Sequence, residues 1–505
     1  MSAIFGRKKQ GMKPAATGLE LQTASNAVPV PIVWGRGRLA PNIIWYNNFK
    51  SRKVKVGGGK GGPSQKQWEY SVSLILGICE GPINDVNNVW KDLYYKEAGN
   101  SFKSANSAVE LLGSYSQTPW SYVTTNFPDE ALSYRGIAYL GLPNYDLGTS
   151  PSMPQHSFEV NGLLYNTAVG GTEPDADPAD LIWDFLTNEN YGTPYLQSAI
   201  SQSTLFSTVN ATTTGDNTYQ TYCRAMGFGL SPELTDTEEA SKILERWLML
   251  TNTAPVWSGN QLKFMPYGDE TVSANGVVYV PEVTVRYNLT VDDFIWSEGE
   301  DPVTYVRGDV QDAKNAFYVE VMDRDDEYSL KPVGAKDQAS IEEYGKRQNV
   351  DVKAHEIKTI GMGLTIAHLL VQRSAFVRNK YRFKLPQNFI LLEAMDVVTL
   401  TVEGLGLDAY RVRITVVEEN DDGELEIEAE DFPEGLGSTG NYLTQTSGGA
   451  PLNFNQAPGD TEAPIIFEPD GVLTNGVPQV WMGVTGLGAY WGGCEVWLST
   501  DNTNY

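Results

Sequence analysis

The chain has 505 residues, a formal net charge of -26 and 41% hydrophobic residues, enough for three or four domains with sizeable cores. No apolar run approaches the ~18–20 residues of a membrane helix, and no apolar segment follows the basic N-terminus as a secretion signal requires. Cys79, Cys223 and Cys494 are far apart, which excludes a disulfide framework and points to a reducing compartment.

The charge is unevenly spread. Residues 1–66 hold 12 Lys and Arg against one acid, Glu20. The rest carries 25 basic and 62 acidic residues, a net of -37. A basic leading segment on an acidic body suits contact with an acidic partner or a polyanion. The acidic body itself repels phosphates, so it does not read as a surface that wraps DNA.

In chain order, Val28–Asn47 reads as two short extended segments broken by Gly35 and Gly37. A glycine-lysine loop is expected over residues 50–66, bearing Lys50, Arg52, Lys53, Lys55, Lys60 and Lys66. Its GGGKGG run is not followed by Ser or Thr opening a helix, so it is not a Walker loop. A period-two strand follows, with Trp68, Tyr70, Val72, Leu74, Leu76 and Ile78 on one face. It stops at Gly81-Pro82. A strand closed by Pro143 is expected over 134–143, and another over 155–164.

After Gly171 the character changes. Asp177 reads as an N-cap with Pro178 at the first helical position, and Leu181, Ile182, Phe185 and Leu186 form the apolar stripe. The Asp175, Asp177, Asp180 group lacks cation-loop spacing and reads as helix capping. Helices are expected at 218–227 and 237–250, then a hairpin turning at Gly259-Asn260. Residues 276–330 return to strands, with Asp323–Glu327 as a solvated turn. A helix is expected over 363–379 with Ile366, Leu369, Leu370, Phe376 and Val377 on one side. Residues 410–430 form a hairpin turning at Asp422-Gly423. Residues 436–463 read as a linker, and 464–505 as the start of a fibronectin-like β module.

His156, His355 and His368 are dispersed, and no GxSxG, HExxH or CxxC motif is present. No catalytic, cofactor-binding or metal-ligating residue is assigned, and no cofactor is expected. The fold class read from these elements is mainly β with an α+β insertion: a β domain at 1–170, an α+β domain at 171–275 and a second β domain at 276–435.

Several stretches in order resemble the putative phage tail protein family, which includes the gene-transfer-agent hub and the tip attachment proteins of lambda-like phages. They are YSVSLILGICEGPINDVNNVW, DLIWDFLTNENYG, YQTYCRAMGFGLSPEL, VWSGNQLKFMPYGD and VTLTVEGLGLDAYRVRITVVEENDDGELEIEAEDFPEG. The resemblance implies a non-enzymatic structural hub built from small β-barrel-like domains. It implies a homotrimer at the tail tip or baseplate of a siphophage virion, assembled in the host bacterial cytoplasm without stable membrane insertion. Its partners would be the distal tail and other tail-tip proteins, the tape measure, the tail fibre and DNA in passage. Lys50, Arg52, Lys53, Lys55, Lys60 and Lys66 are the candidate partner-docking residues. A tip-carried cell-wall hydrolase and a receptor-binding adhesin are the alternatives.

Overall fold

The computed structural model describes residues 29–56, 65–92, 95–207, 215–296, 299–308, 313–435, 461–486, 494–496 and 499. The chain divides into two compact units, Met1–Gln445 and Thr446–Tyr505. Strand exceeds helix, 40% to 22%, so the mainly β class holds.

The first unit begins with eight strands in two antiparallel sheets: β1 (Arg36–Leu39), β2 (Asn42–Val56), β3 (Gln65–Glu80), β4 (Asp85–Lys91), β5 (Tyr95–Ala98), β6 (Val109–Leu112), β7 (Ile137–Gly148) and β8 (His156–Asn161). One sheet runs β2-β3-β7-β6 and the other β1-β8-β4-β5. The alternation of β3 decides what lies between them. Val72, Leu74 and Leu76 point into a core with Val86, Val89, Phe158 and Val160. Its opposite face is covered too: Ile75 packs with Trp120 and Tyr139. A Cβ at Gly141 would lie 2.7 Å from the Trp120 ring, so the indole seats there only because glycine leaves room.

Two expectations are corrected here. Residues 50–56 and 65–66 are strand, not loop, because β2 and β3 pair from Asn42↔Gly77 out to Val56↔Gln65. The strand expected to close at Pro143 instead runs through it to Gly148. The register shifts between Val72↔Tyr145 and Leu74↔Leu142, and a bulge is where a residue without an N–H is tolerated. There Asn144, at φ 50°, donates its backbone N–H to Ser73 Oγ at 3.0 Å.

The helical part contains α1 (Pro178–Thr187), α2 (Tyr219–Met226), α3 (Ala240–Leu250) and the hairpin β9 (Thr253–Ser258) with β10 (Gln261–Pro266). Asp177 caps α1, accepting from the Ala179 N–H at 2.9 Å. Thr218 caps α2 in the same way. Gly259 and Asn260 both have positive φ, 58° and 65°, the backbone a tight two-residue hairpin turn needs.

The rest of this unit holds β11 (Val285–Thr290), β12 (Val303–Arg307), β13 (Ala316–Asp323), β14 (Ser329–Lys336), β15 (Val352–Ala354), α4 (Ile360–Phe376), β16 (Asn379–Leu385), β17 (Val397–Val402), β18 (Leu407–Glu419) and β19 (Leu425–Asp431). A six-stranded sheet runs β11-β17-β18-β19-β16-β12 and a three-stranded one β14-β13-β15. The hairpin read at 410–430 is β18–β19, with Ile414, Leu425, Ile427 and Ala429 in the core. Among the described residues none of the sheets closes into a barrel.

Helix α4 starts three residues earlier than expected and ends at Phe376, whose side chain is exposed rather than packed. The chain leaves the helix because Asp431 Oδ2 accepts the Arg378 and Asn379 N–H groups, at 3.1 and 2.8 Å. That draws residue 379 into β16.

One apolar core crosses the segments. Trp34 packs edge-on to Phe185, Tyr191 and Trp247 and donates its indole N–H to Asp184 Oδ2 at 2.7 Å. The same cluster takes in Val319 and Val321 of β13 and Ile366 and Val371 of α4. It therefore spans the 275/276 division read from sequence.

In the second unit, Ile465–Phe467 pairs antiparallel with Trp481–Gly483, and Phe467 and Trp481 meet edge-on at 6.1 Å.

Candidate docking surfaces

The β2–β3 ribbon carries the residues singled out in the sequence. Strand β7 pairs with β3 only as far as Gly148↔Tyr70. Beyond that point β2 and β3 pair with each other alone, through Arg52↔Glu69, Lys53↔Trp68 and Lys55↔Lys66. This two-stranded extension is roughly 17 Å long, at about 3.3 Å per residue. Arg52 and Lys53 are exposed along it, and exposed Lys50, opposite Ser71, stands just before it. Arg52 pairs with Glu69 at 2.8 Å, and the Lys53 ammonium lies 5.6 Å from the centre of the Trp68 ring. Cross-strand pairs of this kind support a ribbon that has no third strand. Lys55 and Lys66 are placed in the strands, and Lys60 lies outside the described residues. The structure thus puts Arg52 and Lys53 on one two-stranded arm, with Lys50 at its base.

The second charged region was read as a solvated turn, and that reading is corrected. Residues 323–328, between β13 and β14, are wedged against two other parts of the fold. Arg324 pairs with Asp175, its side chain 10% exposed and the aspartate's 3%. Burial works against the arginine charge, but the pull of Asp175 and then Tyr328 outweighs it, so the Arg324 pKa rises. Asp175 also accepts from Ser231 Oγ at 2.5 Å.

One residue on, Glu327 accepts from the Trp90 indole and, at 3.2 Å, from Lys96. The Glu327 carbonyl accepts from Arg38 at 2.9 Å, while the Arg38 guanidinium lies 4.0 Å over the Trp90 ring. Tyr328 donates to Glu159 Oε1 at 2.7 Å, and burial raises its pKa. Lys331 reaches back to Asp323 at 2.7 Å and Asp326 at 2.9 Å. Glu327 and Tyr328 adopt φ of 56° and 62°, which turns both side chains toward β4 and β8. Arg324, Glu327 and Tyr328 therefore connect the first sheets, the helical part and β13–β14, while Asp323 and Asp326 hold Lys331 within the hairpin. Local sequence carries no signal for this, because the partners of Arg324, Glu327 and Tyr328 in the other segments lie far away along the chain.

The three histidines lie in different elements: β8, the segment after β15, and α4. His156 is buried, bonded to Tyr145 Oη at 2.9 Å, and burial lowers its pKa to about 4. His355 meets Glu320 at 2.8 Å. Burial lowers the His368 pKa. The Cys79 thiol is pushed up to about 12 by burial. Asp177, the α1 cap, is raised by burial against the pull of Arg224, which pairs with it at 2.7 Å. Asp180 is raised to about 6, by burial and then by Asp177. Among the described residues no group of three or more His, Cys, Asp or Glu could hold a metal ion. No described helix is long and apolar enough to cross a membrane.

Residues 239–417 match the family described as putative phage tail protein. The family resemblance read from the sequence motifs is borne out. The matched region runs from α3 into β18 and includes the 323–328 turn, but not the ribbon. The fold is similar to a chain of the structure described as "Virion of native gene transfer agent (GTA) particle": 19% identity, TM-score 0.57, covering 87% of this chain and 92% of that one. A prophage MuSo2 43 kDa tail protein from Shewanella oneidensis aligns at 11% identity and TM-score 0.31, over 79% of this chain and 97% of that one. No curated protein matches the chain.

Proposed function

We propose that the chain is a structural protein of a phage-type tail, acting as the central hub of the tail tip or baseplate. It assembles as a homotrimer that closes the distal end of the tube, joins it to the fibre and opens on host contact to release DNA. The observation that carries this reading is the tail-protein match at residues 239–417, set in a fold shared along most of its length with a chain of a gene-transfer-agent virion. The 1–170 and 276–435 regions serve as hub domains, 171–275 as the α+β insertion, 436–463 as the linker and 464–505 as a trailing β module. Lys50, Arg52 and Lys53, with Lys55, Lys60 and Lys66, dock neighbouring tail proteins through the ribbon. The acidic body, net -37 beyond residue 66, keeps passing DNA from adhering because like charges repel. The action is conformational, without bond-making chemistry.

Three measurements test the proposal. Native mass measurement of the full chain is expected to give three times the 55.6 kDa of one copy, and a monomer at micromolar concentration overturns the hub reading. Immunolabelling of assembled tails is expected at the tip, and label elsewhere along the tube overturns the placement. Peptidoglycan zymography is expected to show no clearing. Clearing that disappears with one acid pair would replace the structural reading with a hydrolase.

A further inference from the structure

Two hairpins of the first unit carry opposite charge. The stretch from Lys50 to Glu69, which includes the β2–β3 ribbon, holds six basic residues and one acid. The stretch from Ile414 to Glu428, which includes most of the β18–β19 hairpin, holds seven acids and no base. Each is an antiparallel pair with a defined register.

Part of each charge is met within the chain. Arg52 pairs with Glu69 at 2.8 Å and is also drawn by Asp146. From β16, Arg382 reaches Glu428 at 2.7 Å, and Lys384 reaches Glu426 at 3.2 Å and Glu424 at 3.6 Å. The remainder is exposed: Lys50 and Lys53 on the basic hairpin, and Glu418, Glu419, Asp421 and Asp422 at the end of the acidic one. None of these six forms an ion pair among the described residues, and no described ion pair joins the two hairpins. The acidic end continues into a groove of about 550 Å³ over the outer face of β16, β19 and β18. There exposed Glu300 and Asp301 join Glu418, beside the half-exposed Trp296.

We propose that the basic β2–β3 ribbon of one copy docks on the acidic β18–β19 end, and the groove adjoining it, of a second copy of this chain. Each copy brings one basic and one acidic hairpin, so every copy added supplies the charge that the last leaves open. The two surfaces differ, so the contact is heterologous. It closes into a ring where the rotation between copies allows, and otherwise runs on as a filament. The lysines gain from several carboxylates at once, and a lysine that reaches Trp296 gains from its ring as well. Exposed charges of this kind are screened by salt, so they choose the partner and speed the encounter more than they clamp it. The inference rests on the docking role given to the ribbon above and names the partner that the ribbon meets.

The test is charge reversal on the full chain, followed by sedimentation equilibrium at low and high salt. The unaltered chain is expected to self-associate, and less tightly as salt rises. Lys50→Glu/Lys53→Glu and, separately, Asp421→Lys/Asp422→Lys should each weaken association about tenfold, with unchanged circular dichroism. All four substitutions in one chain should restore it to within about threefold, because both surfaces then carry the opposite sign. That recovery also answers misfolding, since a damaged ribbon is not repaired by changing a distant hairpin. An assembly that persists when either hairpin is reversed overturns this inference and leaves the hub reading standing. So does a fourfold variant as weak as the two doubles. Recovery in the fourfold variant, with label found elsewhere than the tail tip, overturns the hub placement alone. A monomer at micromolar concentration overturns both.

Discussion

On the ribbon, Arg52 meets Glu69 with the arginine side chain 78% exposed, whereas Arg324 meets Asp175 with side chains 10% and 3% exposed. The chemistry is the same and the surroundings are opposite. Water and salt screen the first pair, so each partner is nearly as well off alone. The second pair lies between packed segments, where removing one partner strands the other charge out of water. Charge on the ribbon is thus available to something outside the chain, and charge at the 323–328 turn is consumed inside it.

The largest expected effect tests the buried side of this contrast. Arg324→Ala should lower unfolding stability by about 3–5 kcal/mol, read by chemical denaturation. A loss under about 1 kcal/mol would put Arg324 in the same class as Arg52.

Next comes acid. His156 has its pKa lowered from 6.5 to about 4 by burial, so between those values the unfolded chain binds a proton that the folded chain refuses. Stability on this account is complete above pH 6.5 and falls as pH drops toward 4, by up to about 3 kcal/mol. Asp180, raised to about 6, contributes with the opposite sign as pH rises from about 4 to 6. His156→Phe should therefore flatten the acid limb, and an unchanged limb would mean the imidazole is not what resists the proton.

Smaller again, Glu327→Gln keeps the shape but weakens the bonds from Trp90 and Lys96. It should cost about 1–2 kcal/mol and raise hydrogen exchange in 85–98 and 323–328 together. Exchange rising in only one segment would show that the turn does not couple them. Smallest is Arg52→Ala, expected to leave the denaturation midpoint where it was. The Arg52→Ala/Lys53→Ala pair should nonetheless weaken capture of an acidic tail partner. A ribbon variant that melts early would place its charges among the structural ones.

What was legible in the sequence is what depends on near neighbours. Asp177 before Pro178, Gly259-Asn260 and Asp422-Gly423 are settled within a few residues by capping and turn geometry, and all three stand where they were expected. The alternation from Trp68 to Ile78 disclosed a strand, but not that Ile75 faces a second packed layer under Trp120. Residues 50–56 and 65–66 were misjudged because neighbouring glycines and lysines suggest a loop, although Arg52↔Glu69 and Lys53↔Trp68 are ordinary facing pairs. The 323–328 turn was misjudged for a deeper reason. Arg38, Trp90, Glu159 and Asp175 are 149 to 289 residues away from the groups they bond, and no periodicity reports a partner at that distance.

The position of Trp34 sets a timetable for the growing polypeptide. Its walls come from Phe185, Trp247 and, further into the same cluster, Val321 and Ile366. When the ribosome has delivered the first sheets, that indole is still without its covering. Ile366 follows Trp34 by 332 positions, a delay during which bare apolar surface invites chaperones or clumping.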